Sequence, residues 1–71
     1  MAKRARLPAA GDKVELLVNL PDYNLAKGDV GNILVAYDPY DLNAQIADFE
    51  VFFEKINISV ILLESEFKLV E

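Results

Sequence analysis

The chain has 71 residues, room for one domain with one core and no second lobe to form an interdomain cleft. It contains no cysteine and no histidine, which excludes disulfides and thiolate metal sites and removes the commonest metal ligand and general base. With 54% apolar residues and a net charge of −5, the fold must rest on hydrophobic burial, and self-association is the remaining way to bury more.

The opening stretch "MAKRARLPAAG" has a basic start and no apolar run behind it, so it does not read as a signal peptide. Residues 1–10 are expected to be a flexible basic arm ahead of a single domain at 11–71. No apolar run approaches the roughly 20 residues of a membrane span, and a cytoplasmic location is the default expectation. Lys3, Arg4 and Arg6 make the arm basic. Residues 7–71 hold the other four lysines against all 12 acids, a balance of −8. A body of that sign repels phosphate backbones, so nucleic acid is disfavoured as a partner.

From Asp12 the apolar period is two. In "DKVELLVN", Val14, Leu16 and Val18 alternate with Lys13, Glu15 and Asn19, interrupted by Leu17. "VGNILVAY" (30–37) sets Ile33, Val35 and Tyr37 on one face. "ADFEVFFE" (47–54) sets Phe49, Val51 and Phe53 against Asp48, Glu50, Phe52 and Glu54. "NISVILL" (57–63) offers Ile58, Val60 and Leu62. "ESE" (64–66) reads as a helical turn before a fifth strand in "FKLV" (67–70). A helix over 42–55 is the competing reading, because Leu42, Ile46 and Phe49 have helical spacing. The aromatic and β-branched run Phe49–Phe53 favours strand for its second half. "KIN" is a tight connection, and "DPYDLNAQ" is a long loop with Pro39 near its start. These elements predict an all-β fold: a small SH3-like, five-stranded, partly open barrel with a short helical turn before the last strand.

The segments "NLPDYNLAKGDVGNILVAY" and "FEVFFEKINISVILLESEFKLVE" resemble a group of small bacterial and cyanobacterial domains of unknown function (the domain of unknown function 4926 type). The matching residues are Val14, Leu20, Pro21, Tyr23, Leu25, Gly28, Asp29, Gly31, Phe49, Val51, Phe53 and Leu63, and the likeness covers about residues 12–71. The motif L-P-x-Y-x-L-x-x-G-D-x-G is its specific part; the rest is generic β pattern. The resemblance implies an SH3-like barrel and brings no established activity. Family members tend to have a shorter loop where this chain has "DPYDLNAQIAD", and more polar outward strand positions.

Catalysis has little to stand on. Ser59 and Ser65 have no histidine to activate them and the carboxylates are scattered, so no enzyme activity and no cofactor are expected. "DPYDLN" lacks the alternating acids and terminal glutamate of a calcium loop. Gly28 and Gly31 form one G-x-x-G with no helix after it, a weak match to a phosphate loop. Pro21, Gly28, Asp29 and Gly31 read instead as turn architecture: Gly28 supplies a positive φ, Asp29 accepts from nearby backbone amides, and Gly31 lets strands approach. "AKGDVGNILVA" also has the spacing of a KOW-like loop-strand unit, which makes a nucleic-acid or ribonucleoprotein-associated module the alternative function. Lys27 is its one basic residue, between Asp22 and Asp29.

Two surfaces remain as candidate contacts. Asp22, Tyr23, Tyr37 and Tyr40 lie in loops or at a strand end, where acids and tyrosines suit a peptide contact. The competing reading has Tyr23 and Tyr37 plugging the barrel ends. The second surface is apolar. If Val14, Leu16, Val18, Ile33, Val35, Phe49, Val51, Phe53, Ile58, Val60 and Leu62 fill the barrel, then Leu17, Leu34, Phe52, Ile61 and Leu63 point outward. Such a patch predicts an interface, either with a protein partner or in a homo-oligomer.

Overall fold

The computed structural model describes residues 8–37 and 48–70, and all five expected strands are present in it. They are β1 (Lys13–Leu16), β2 (Val30–Tyr37), β3 (Asp48–Phe53), β4 (Ile58–Leu63) and β5 (Phe67–Leu69). Two 3-10 turns accompany them, Pro21–Tyr23 inside the β1–β2 loop and Glu64–Glu66 ahead of β5. All pairings are antiparallel and the strand order is β4-β3-β2-β1-β5. The second half of the helix considered over 42–55 is therefore strand; residues 42–47 lie outside the described residues.

The sheet curls until its two arms meet. Phe49 on β3 and Phe67 on β5 are separated by two strands in the sheet, yet their rings pack edge to face at 5.2 Å and 88°. That contact marks the partly open barrel: β4 and β5 do not pair, and the interior is closed by side chains. The core is Val14, Leu16, Leu25, Ile33, Phe49, Val51, Phe53, Val60, Leu62 and Phe67, with Leu20, Ile56 and Leu69 packed against it. Each such side chain contributes roughly 1.5–3 kcal/mol on burial, which a domain without cross-links depends on.

Three expectations about the interior are overturned. Alternation places Val35 inward, but the β2–β3 register shifts between Ile33 and Val35. Before the shift Ile33 faces Val51; after it Val35 faces Glu50 and Tyr37 faces Asp48. Leu34 is the extra residue of a bulge, and because side chains alternate with period two, one added residue turns Val35 and Tyr37 onto the outer face. Ile58 keeps the inward register opposite Phe53 but is exposed, since it closes the hairpin at the sheet's end. Val18 is only half-buried, because β1 ends at Leu16 and the chain bends at Leu17 and Val18. Leu25 and Phe67 fill the core in their place. Pro8 is buried, and Ala9 and Asp12 are joined by two hydrogen bonds; residues 1–7 of the expected arm lie outside the described residues.

Backbone constraints set the close approaches. A Cβ added to Gly31 would lie 2.7 Å from the Phe52 carbonyl oxygen, 2.8 Å from Val51 Cγ1 and 2.9 Å from Phe53 Cδ2. The β3–β4 hairpin turns through Asn57, whose φ of 58° is left-handed and whose N–H donates to the Phe53 carbonyl at 2.8 Å. Gly31→Ala is expected to destabilise the fold by about 1–3 kcal/mol, because a backbone carbonyl in a paired strand cannot move aside cheaply. Asn57→Val is expected to cost about 1–2 kcal/mol while Asn57→Gly holds stability near wild type, both read from urea midpoints.

Candidate functional site

The β1–β2 loop is pinned at several points. Leu20 and Leu25 form an isolated bridge, exchanging backbone hydrogen bonds of 2.9 and 3.1 Å, and both side chains point at the core. Pro21 starts the 3-10 turn between them, and Asn24 closes it in the left-handed conformation at φ 61°. The fixed φ of proline at the first position and the tolerance of asparagine for the left-handed region suit this tight return. Pro21, Asp22 and Tyr23 are left exposed at its tip.

Gly28 has a φ of 99°, and its N–H donates to the Leu16 carbonyl at 2.9 Å. Asp29 accepts from the Ala26 N–H at 2.8 Å and from Lys55 Nζ at 3.0 Å. The first of these bonds, then the second, holds the Asp29 carboxyl below its ordinary value. Lys55 sits in the β3–β4 hairpin, so this pair ties the loop to the far end of the sheet. The sequence reading anticipated the amide contact and missed the lysine, which is 26 residues away.

The described loop-end candidates, Asp22, Tyr23 and Tyr37, are not gathered into one group. The loop bearing Asp22 and Tyr23 runs into Val30, the first residue of β2, whereas Tyr37 is its last. Neither Tyr23 (45% exposed) nor Tyr37 (47% exposed) plugs a barrel end. The hydroxyl of Tyr37 instead donates to Glu50 Oε1 across the outer face, at 3.4 Å. Tyr40 lies outside the described residues.

Four of the five apolar candidates do share a surface, the outer face of β2, β3 and β4. Cross-strand register lays it out in three rows: Asn32–Phe52–Ser59, Val35–Glu50–Ile61 and Tyr37–Asp48–Leu63. Leu34 projects from the bulge beside the first two. Ile61 is 55% exposed and Leu34 48%, Val35 and Leu63 are exposed, and Phe52 is half-buried. Leu17 is exposed but stands apart, beyond the end of β1, where its N–H donates to the Glu66 carbonyl at 2.9 Å. Val35 and Tyr37 join the patch through the bulge, which no alternation count reveals.

Glu50 is the polar centre of this face. Ser59 Oγ donates to Glu50 Oε2 at 2.8 Å, so serine and tyrosine hydroxyls together occupy both carboxylate oxygens. Among the described residues no group of three or more acids is arranged to hold a metal ion, and no helix is long and apolar enough to cross a membrane. Compared with protein-family models, curated proteins and solved structures, the chain matches none.

The Asp29 pair has a signed consequence. A carboxyl whose folded pKa is lowered adds stability above its unfolded pKa and loses it as pH falls through the folded value. Asp29→Asn is expected to lower the urea midpoint at pH 7, and the gap to wild type is expected to close as pH is taken below about 4. A gap of constant size across that range would show that the charge contributes nothing.

Proposed function

We propose that the chain is a non-enzymatic interaction module whose contact surface is the outer face of β2, β3 and β4. The observation that carries this reading is the bulge at Leu34, which turns Val35 and Tyr37 to the same side as Phe52, Ile61 and Leu63. Monomeric soluble domains rarely leave apolar side chains this contiguous, and a polar centre with an apolar surround suits specific recognition. Asp22 and Tyr23, exposed on a rigid loop tip, supply a second, smaller contact of the peptide-gripping kind.

The charge arrangement supports a protein partner over nucleic acid. Lys55 and Lys68 are engaged with Asp29 and Glu15, at 3.0 and 4.0 Å, which draws two of the four lysines of the acidic body away from any phosphate. Salt-sensitive retention on RNA or DNA at low ionic strength would favour the KOW-like alternative.

Ile61→Glu and Leu34→Glu test the reading, because both side chains are exposed and their loss should shift stability by no more than about 0.5 kcal/mol. Proteins retained by the wild-type chain are expected to be lost with either variant and kept with Ile61→Val. Retention by both glutamate variants would remove this face from the contact. Light scattering across a wide concentration range separates self-association from a heterologous partner.

A further inference from the structure

The two ends of the sheet are built differently. β5 is three residues long and carries Lys68, which is paired with Glu15 at 4.0 Å. Short length and a lysine both discourage another strand from adding to an edge. β4 has neither protection. Its six residues, "ISVILL", include no charge and no proline, and in the sheet it has β3 on one side and no strand on the other.

Alternation fixes which backbone groups of β4 point out of the sheet. In antiparallel pairing the N–H and C=O of one residue face one neighbour, and those of the next residue face the other. Ile33 bonds toward β1, accepting from the Gly11 N–H and donating to the Asp12 carbonyl. Asn32 therefore faces β3, where it is opposite Phe52, and Val51 and Phe53 face β4. On β4 itself, Val60 and Leu62 then face back to β3, and Ser59, Ile61 and Leu63 face away from it. Leu63 agrees, because its N–H donates to the Glu66 carboxylate at 2.8 Å. The N–H and C=O of Ser59 and Ile61 and the Leu63 carbonyl have no hydrogen bond among the described residues.

We propose that two copies of this chain pair through this edge, β4 antiparallel to β4, about a two-fold axis at Ile61. An axis perpendicular to the sheet keeps outer face beside outer face, so each residue meets one of its own facing. Ile61 lies opposite its own counterpart, Ser59 opposite Leu63, and Val60 opposite Leu62. Each Ile61 N–H donates to the Ile61 carbonyl of the other copy, and each Ser59 N–H to the Leu63 carbonyl. The Leu63 N–H, already held by Glu66, is not needed. A register centred on Val60 would set the polar Ser59 against Ile61, which at 55% exposure is the most open apolar side chain of β4. Matching two β-branched side chains is the better cross-strand pair.

Charge favours this geometry over a stacking of outer faces. Stacked faces bring the Glu50 of each copy toward the acids of the other. Side by side, the shared row reads Glu50–Ile61–Ile61–Glu50, three strand spacings or about 14 Å between the glutamate backbones. That exceeds the screening length of about 8 Å at physiological ionic strength. The two apolar outer faces then form one continuous surface. The contact lies at the backbone edge and its test contains no partner, so this pairing and the reading above fail separately.

Sedimentation from about 10 µM to 1 mM is expected to show a monomer–dimer equilibrium, in the weak range that suits an interface one strand wide. Amide hydrogen exchange gives the signature of the edge: Ser59 and Ile61 are expected to exchange several-fold more slowly at the top of that range than at the bottom. Ile61→Lys and Ile61→Glu are each expected to abolish the dimer, because like charges meet at the axis, and an equimolar mixture of the two to restore it. Leu34→Glu, on β2, is expected to leave it intact. A wild-type chain that stays monomeric throughout overturns the proposal, as does a dimer that survives both Ile61 variants or a mixture that fails to associate. A dimer lost with Leu34→Glu, or formed without slower exchange at Ser59 and Ile61, also overturns it, since the contact would then be face to face.

Discussion

The bulge at Leu34 is the constraint on which the surface of this protein depends. Alternation along a strand is strict, so one extra residue in β2 reverses the facing of everything after it. Ile33 stays opposite Val51 in the interior, while Val35 and Tyr37 move out opposite Glu50 and Asp48. Without the bulge, Val35 would belong to the core and the outer face would lose an apolar residue from its central row. Extra local twist at a bulge also helps a five-stranded sheet to curl.

Curling has its own requirement at Gly31, where β2 meets β3. The missing side chain leaves room for the Phe52 carbonyl and the Phe53 ring. Further along, the rings of Phe49 and Phe67 meet across the interior although their strands are not neighbours. A 71-residue chain with no cross-link has few ways to hold such a closure. The β1–β2 loop is one of them, because Leu20 and Leu25 reach the core from a hydrogen-bonded bridge. The Asp29–Lys55 pair is another, linking that loop to the β3–β4 hairpin. The loop is largely framework, with Pro21, Asp22, Tyr23 and Asn24 exposed at its tip and Ala26, Lys27 and Gly28 exposed beyond the buried Leu25.

The outer face differs from an ordinary greasy patch because its centre is charged. Glu50 is oriented by two hydroxyls from neighbouring strands, one on each side. Among the described residues no cation pairs with it, and in the proposed interaction module such a fixed anion favours a cationic partner over another acidic body. Under the proposed reading of this face as a contact surface, the apolar surround favours contact and the fixed charge restricts the partner.

Much of the architecture is legible in the amino-acid order. The aromatic and β-branched runs Phe49–Phe53 and Ile58–Leu63, together with the breaks at "KIN" and "ESE", indicate the β3–β4 hairpin and the turn before β5, because those signals are local. Leu34, Phe52, Ile61 and Leu63 were likewise readable as outward by counting along their strands. Tertiary structure alone decided the rest. Val35 and Tyr37 change face through a register shift that depends on how β2 pairs with β3, and Leu25 and Phe67 enter the core only because the loop folds in and the sheet closes. Asp29 finds Lys55, and Glu50 finds Tyr37 and Ser59, across strand pairings that no short-range pattern encodes. Spacing along a chain records which side of a strand a residue faces only while the register is unbroken; partners across strands exist only once the sheet has formed.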